Sequence, residues 1–237
     1  MKMFELKCKA YLKSDIEFRS SFDIISKFMS FSLFNVNKAD IHTNNGYKNY
    51  TFGSFYPVEK DKVYKKDNIY QFLIRSIDIN IISIFDFALR TNKNNPNFFI
   101  TDIVRSVKEY KYINEMYTVT PVVISVDNSK YWSFADGDLI QLQNNLHANL
   151  EKKYNNFFGT KFRTTNNFIQ LFEITNQKPQ IIDIIKDGNK VKLFGNKFRI
   201  IPNSDEHSQK LAFMALACGL GEKNSFGGGF CMVRGMR

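Results

Sequence analysis

Apolar and polar positions alternate from Lys2 to Ala10, with Met3, Phe4, Leu6, Cys8 and Ala10 set against Lys7 and Lys9, which is the period of a half-buried strand. Asp15 is placed to cap a helix, and Phe18, Phe22, Ile25 and Met29 then recur on one helical face to about Leu33. Ala39–Thr43 and Tyr47–Pro57 predict a second strand interrupted by a turn at Asn44, Asn45 and Gly46. Tyr70–Ile77 predicts a third strand, Asn80–Arg90 a helix, and Phe98–Tyr112 a fourth strand. The second half repeats this order. Pro121–Val126 begins a strand that Trp132–Phe134 extends or follows, and Asp138 caps a long helix to Phe157 with Leu139, Leu142, Leu146 and Leu150 on one side. Phe168–Ile174, Gln180–Lys186 and Lys190–Ile201 read as strands, and a last helix begins near Ser204.

The β-α-β-β-α-β order is the ferredoxin-like arrangement shared with RNA-recognition modules. The last helix runs into Gly219–Phe230, GLGEKNSFGGGF, which holds five of the 12 glycines in the chain. Glycine serves where backbone needs positive φ or lies close against a ligand, and such a loop turns several N–H groups toward one anion. A helix C-cap followed by a flexible turn is the plainer reading. The stretch is neither a dinucleotide fingerprint, which opens a helix, nor a P-loop, since it lacks Gly-Lys-Ser/Thr.

The length of 237 residues allows two domains. With 33 Lys and Arg against 23 Asp and Glu, the net charge of +10 favours a polyanionic partner, and 24 Phe and 11 Tyr supply rings for unstacked bases. Cys8, Cys218 and Cys231 have no metal-ligand spacing and read as reduced thiols of a cytoplasmic protein. The N-terminal stretch is not a signal peptide, and the apolar run Ile77–Leu89 is too short to cross a membrane. No HExxH motif and no tight acidic cluster is present, so no metal or other cofactor is expected. Of three histidines, His147 reads as a surface residue of the long helix, and His207 as a structural or phosphate-contacting residue of the last. His42 stands beside Tyr47 and Tyr50 and six residues before Lys48, on a strand edge whose turn could bring both side chains to one phosphate. An imidazole moves protons near neutral pH, and an ammonium stabilises a developing oxyanion. Lys152 and Lys153 read as part of a solvated basic face.

A helix followed by Gly-h-Gly-x5-Gly-h-Gly (h apolar, here Gly228 at the second such position) near the end of the chain is similar to the signature of the RAMP superfamily of CRISPR-associated RNA-binding proteins. His42, Lys48, Tyr50, Thr51, Phe52 and Ser54 match a second pattern, His-x5-Lys followed by aromatic-Thr-Phe-x-Ser. Within the superfamily the chain resembles the repeat-RNA processing endoribonucleases, the Cas "six" family. The resemblance implies an α+β fold of two tandem ferredoxin-like domains, 1–117 with the catalytic residues and 118–237 with the glycine-rich RNA-binding loop. It implies metal-independent cutting of CRISPR repeat RNA by 2′-OH attack, leaving a 2′,3′-cyclic phosphate and a 5′-OH, with His42 as base and Lys48 as stabiliser. The family often places a Tyr or second His in the first helix, and this helix has neither, which leaves Lys27, Tyr47 or water as the acid. Expected RNA contacts are Gly219, Gly221, Lys223, Ser225, Gly227 and Gly229 of the loop, with Lys161, Arg163, Lys192, Lys197 and Arg199. The partners implied are the precursor RNA and a multisubunit CRISPR complex, for a monomer or homodimer. The alternative is a non-catalytic RAMP subunit that only holds guide RNA.

Overall fold

The structure, a computed structural model, describes residues 1–43, 46–127, 130–133, 138–186 and 188–234. The first half runs β1 (Lys2–Leu12), β2 (Ile16–Glu17), α1 (Phe18–Asn35), α2 (Asp40–Thr43), β3 (Tyr50–Phe52), β4 (Val63–Tyr64), β5 (Ile69–Ser76), α3 (Ile79–Thr91) and β6 (Phe98–Glu109). The second half runs β7 (Met116–Thr118), β8 (Ser125–Asp127), β9 (Lys130–Tyr131), α4 (Leu139–Phe158), β10 (Ile169–Ile174), β11 (Gln180–Lys186), β12 (Asn189–Gly195), β13 (Phe198–Pro202), α5 (Glu206–Cys218) and β14 (Cys231–Val233).

The main sheets have the orders β3-β5-β1-β6 and β10-β13-β7-β14. Numbered within its own half, and setting aside β2 and β4 and the β8–β9 and β11–β12 hairpins, each sheet reads second, third, first, fourth strand. These are two ferredoxin-like halves in tandem. In β1 the inward residues Leu6, Cys8, Ala10 and Leu12 are fully buried in one core with Ile25 and Met29 of α1 and Ile82 and Phe85 of α3.

Helix starts follow the capping residues more closely than the apolar spacing. The Asp138 side chain accepts from Gln141 N and that of Asp205 from Ser208 N. Asp15 is not a cap; its carboxylate accepts from Lys66 N at 2.7 Å, and α1 starts after Glu17. Ala39–Thr43, expected as strand, is instead mostly the short helix α2. His42 N and Thr43 N both bond Ala39 O, at 2.9 and 3.0 Å, so the segment satisfies its amides locally. Of the expected turn, Asn44 and Asn45 lie outside the described residues, as does Phe134. Lys190–Ile201 is two strands in different sheets. The break falls at Gly195 and Asn196, where Asn196 pairs with Val122 and a Cβ on Gly195 would meet Val122 O at 2.5 Å. His147 is buried, not on the surface: it accepts from Phe168 N at 3.1 Å and faces Thr164 Oγ1 at 3.0 Å. Because β7 already belongs to the second sheet, we propose dividing the chain ahead of Met116 rather than between 117 and 118.

The two halves meet across the open face of the first sheet. Met3 of β1 is buried in the core of the second half. Arg75 of β5 binds Glu5 at 2.7 Å and Cys231 O at 2.6 Å, and its guanidinium lies 4.5 Å from the centroid of Phe230. Both charged side chains are almost wholly buried, so removing one strands the other in low dielectric. Arg75→Ala is expected to cost about 3–5 kcal/mol, read as a fall in the urea midpoint; a loss below about 1 kcal/mol would show that the pair does not hold the halves together.

Candidate functional site

The loop from α2 into β3 is held from behind. Ser76 Oγ donates to Asn49 O at 2.6 Å, and Asn49 itself takes a left-handed φ of 52° that an Asn tolerates. Tyr50, pinned in the core, points its hydroxyl at His42 Nδ1 at 2.7 Å, and the imidazole meets the ring of Phe226 edge-on at 6.0 Å. His42 is half-buried, and burial, followed by the Lys48 charge, lowers its pKa below the usual near-neutral value. Burial also lowers the Lys48 ammonium. It raises the Tyr47 phenol, with a further contribution from Glu222. The Tyr50 phenol is pushed so high by burial that it stays neutral.

This loop forms one wall of a cleft of about 390 Å³, in which Tyr47 and Lys48 face Asn149 of α4 and Lys223, Ser225 and Phe226 of the glycine-rich loop. The Oδ1 atoms of Asn49 and Asn149, both in the lining, are buried with no hydrogen-bond partner among the described residues. Residues from opposite ends of the sequence thus converge on one polar cleft.

The glycine-rich loop is a packed plug, not an open cradle. Gly219, Gly221, Gly227 and Gly229 are buried, and the space their side chains would take is filled by protein. At Gly229, with φ 67°, a Cβ would stand 1.9 Å from Leu220 O; at Gly227, with φ 81°, it would meet the Phe22 ring at 2.6 Å. Lys153 organises the plug. Its Nζ is buried and donates to Gly219 O at 2.6 Å, Gly221 O at 2.7 Å and Asn224 Oδ1 at 2.7 Å. Burial brings this ammonium down to about 8, and its three acceptors accommodate the charged form. Lys153 escaped the sequence reading because its acceptors lie more than sixty residues away in the chain.

Other expected site residues disperse. Lys27 pairs with Asp23 at 2.7 Å and lines a separate cleft with Phe31 and Asn94; the neighbouring Ser26 faces the plug instead, donating to Ser225 O at 3.0 Å. Arg199 is occupied by two bonds to Glu115, at 3.0 and 2.9 Å, and one to Glu173 at 3.1 Å. Lys161 and Arg163 are exposed on the loop after α4, and Lys192 is exposed on β12. Lys197 is half-buried in a different cleft, and the His207 ring lies 5.1 Å from that of Phe162. Among the described residues, no group of three or more His, Cys, Asp or Glu side chains could hold a metal ion, and no helix is long and apolar enough to cross a membrane.

Residues 106–233 match the family model described as CRISPR associated protein Cas6, C-terminal. The chain belongs to the Cas6 family. The resemblance carried by the glycine-rich loop and the His42–Ser54 pattern is thereby borne out at the level of family. A Cas6 relative from Methanocaldococcus jannaschii, named CRISPR-associated endoribonuclease Cas6 2, is 26% identical over 231 residues, covering 89% of this chain and 92% of that one. A solved structure titled CRISPR associated protein Cas6 superposes with a TM-score of 0.74 at 18% identity, covering 98% of this chain and 100% of that one. Another, titled an RAMP protein binding different RNA substrates, gives 0.71 at 17% identity with the same coverage. These two likenesses are of fold.

The electrostatics of the cleft give a direct check. In an NMR titration, His42 should lose its proton below the ordinary imidazole value. Lys48→Met should move that midpoint upward, because the imidazolium no longer faces a neighbouring cation. An unmoved midpoint would mean that Lys48 does not act on His42.

Proposed function

We propose that this Cas6 chain is an endoribonuclease that binds CRISPR repeat RNA and cuts it in the cleft between the α2–β3 loop and the glycine-rich loop. The name of the Methanocaldococcus relative supports the activity, and the observation that carries the site is the convergence of Tyr47, Lys48 and Lys223 on one cleft, with His42 set against two of its lining residues, the Tyr50 hydroxyl and the Phe226 ring.

The chemistry needs no group beyond these side chains. With Nδ1–H donating to the neutral Tyr50 oxygen, His42 keeps its Nε2 lone pair for a ribose. Nε2 takes the 2′-OH proton, the 2′ oxygen attacks phosphorus, and the bond to the 5′ oxygen breaks. The products are a 2′,3′-cyclic phosphate and a 5′-OH. Lys48 offsets the charge that accumulates on the phosphorane oxygens, and its partly desolvated position strengthens that effect. Tyr47 replaces Lys27 as the proton donor to the leaving oxygen, since its raised pKa keeps the proton in place until the oxygen needs it. Lys223 and Phe226 flank the cleft as cation and stacking ring for the strand.

Labelled repeat RNA incubated with the protein in EDTA tests this. Cutting should persist in the chelator, stop when the 2′-OH at the cut site is replaced by hydrogen, and fall about 100- to 10,000-fold in His42→Ala. Lys48→Ala should lose about 100- to 1,000-fold. The single-turnover rate should rise with pH and level off at a lower pH than an ordinary imidazole would give, following the lowered His42 pKa. RNA that is held tightly yet stays intact would overturn the enzyme in favour of a binding subunit.

A further inference from the structure

Asn224, buried in the middle of the glycine-rich loop, is held at both ends of its amide. Its Oδ1 accepts from Lys153 Nζ at 2.7 Å, while its Nδ2 donates to Leu220 O at 3.2 Å and to Gly228 O at 2.9 Å. The amide thus ties the two limbs of the loop together. Turned end for end, it would fill the same space but set its N–H groups against the ammonium and leave both carbonyls without a donor. The cation therefore decides which way the amide faces.

What the amide holds is the turn that meets the site. Asn224–Phe226 forms a single 3₁₀ turn, entered through Lys223 at a left-handed φ of 58°. Phe226 N bonds Lys223 O and Gly227 N bonds Asn224 O, both at 3.0 Å. This turn carries Lys223 into the lining of the cleft and sets the Phe226 ring edge-on to His42. A lysine at positive φ is strained and persists only where its surroundings hold it. The Asn224 amide holds the turn from within, and Ser26 Oγ, donating to Ser225 O at 3.0 Å, holds it from α1.

We propose that Lys153 is a positioning residue for the cutting reaction: through the Asn224 amide it holds the Lys223–Phe226 turn in register with the α2–β3 loop and keeps the Phe226 ring seated against His42. The inference rests on the function proposed above and deepens its account of the site. All three hydrogens of the ammonium are engaged by Gly219 O, Gly221 O and Asn224 Oδ1, so none is left for a phosphate. Its effect reaches the reacting groups through the turn, and it falls on His42. Burial first, and then the Lys48 charge, lower the proton affinity of the imidazole, while the Tyr50 phenol that touches it stays neutral. Phe226 supplies part of that burial. A ring that leaves the imidazole lets water in and favours the imidazolium.

Lys153→Met breaks this relay at its start, Asn224→Ala in its middle and Phe226→Leu at its end. The His42 midpoint is read by NMR on the full chain without RNA, and single-turnover cutting of labelled repeat RNA is followed across pH. In Lys153→Met and Asn224→Ala the midpoint should rise toward the ordinary imidazole value, and the acid limb of the rate profile should move to higher pH with it. The plateau rate should fall about 100-fold, the effect of displacing a reacting group by about an ångström. Phe226→Leu should raise the midpoint alike, and adding Lys153→Met to it should raise it no further, since both act on one contact. A merely structural lysine would lower the urea midpoint and leave the titration of His42 in the folded molecules where it was. Asn224→Ala leaves the ammonium its two backbone acceptors, so it carries the test where Lys153→Met fails to fold. An unmoved His42 midpoint in a folded variant would overturn the proposal, as would shifts that add in the double variant. Because the midpoint is read without RNA, a chain that shows these shifts yet cuts nothing would sink the nuclease and keep the relay.

Discussion

A single ammonium inside the protein fixes the geometry on which the rest depends. Taking Lys153 out of water costs several kcal/mol unless each of its hydrogens finds an acceptor, and Gly219 O, Gly221 O and Asn224 Oδ1 supply all three. Gly219 caps the C-terminus of α5, where carbonyls lack helical partners and the helix dipole is negative, yet the last turn of α5 has no basic residue of its own. The cation arrives from α4 instead. One side chain therefore joins both helices of the second half to the glycine-rich plug. The plug in turn meets Ser26 of α1 through Ser225 and His42 through Phe226.

The repeated topology explains why the cleft forms where it does. The α2–β3 loop follows the first helix of one half, and the glycine-rich loop follows the second helix of the other. Neither loop builds a site within its own half. Packing the halves across the first sheet, with Arg75 buried between Glu5, Cys231 O and the Phe230 ring, brings the two loops together. The geometry of the cleft and interdomain packing are one constraint in this chain.

Local signals in the sequence carried much of this, and non-local ones did not. The alternation in β1, the bounds of β11 and the Asp138 cap depend on neighbours in the chain, and each appears in the structure as read. His42 was read on a strand edge and lies instead in a short helix, behind Tyr50 and Phe226 of the cleft that Lys48 lines. Burial of a long cation is different, because it depends on acceptors brought from elsewhere. Lys153 read as a solvated residue and Arg199 as an RNA contact, yet the first is enclosed by the plug and the second is bonded to Glu115 and Glu173. Lys27 illustrates the angular limit of such reading: one residue along α1 turns a side chain by about 100°, and Ser26 takes the place facing the plug.

These burials also change what the net charge of +10 means for a polyanion. Arg75, Lys153 and Arg199 are committed to internal acceptors, so they add to the formal balance without offering a phosphate anything. Other cations keep their charge at the surface, among them Lys161, Arg163, Lys192 and Lys223. Lys223 lines the cleft with Tyr47 and Lys48, while Lys62 and Lys197 line another between α1 and β11. The formal excess therefore overstates the charge free to meet a polyanion, because part of it is held by internal acceptors.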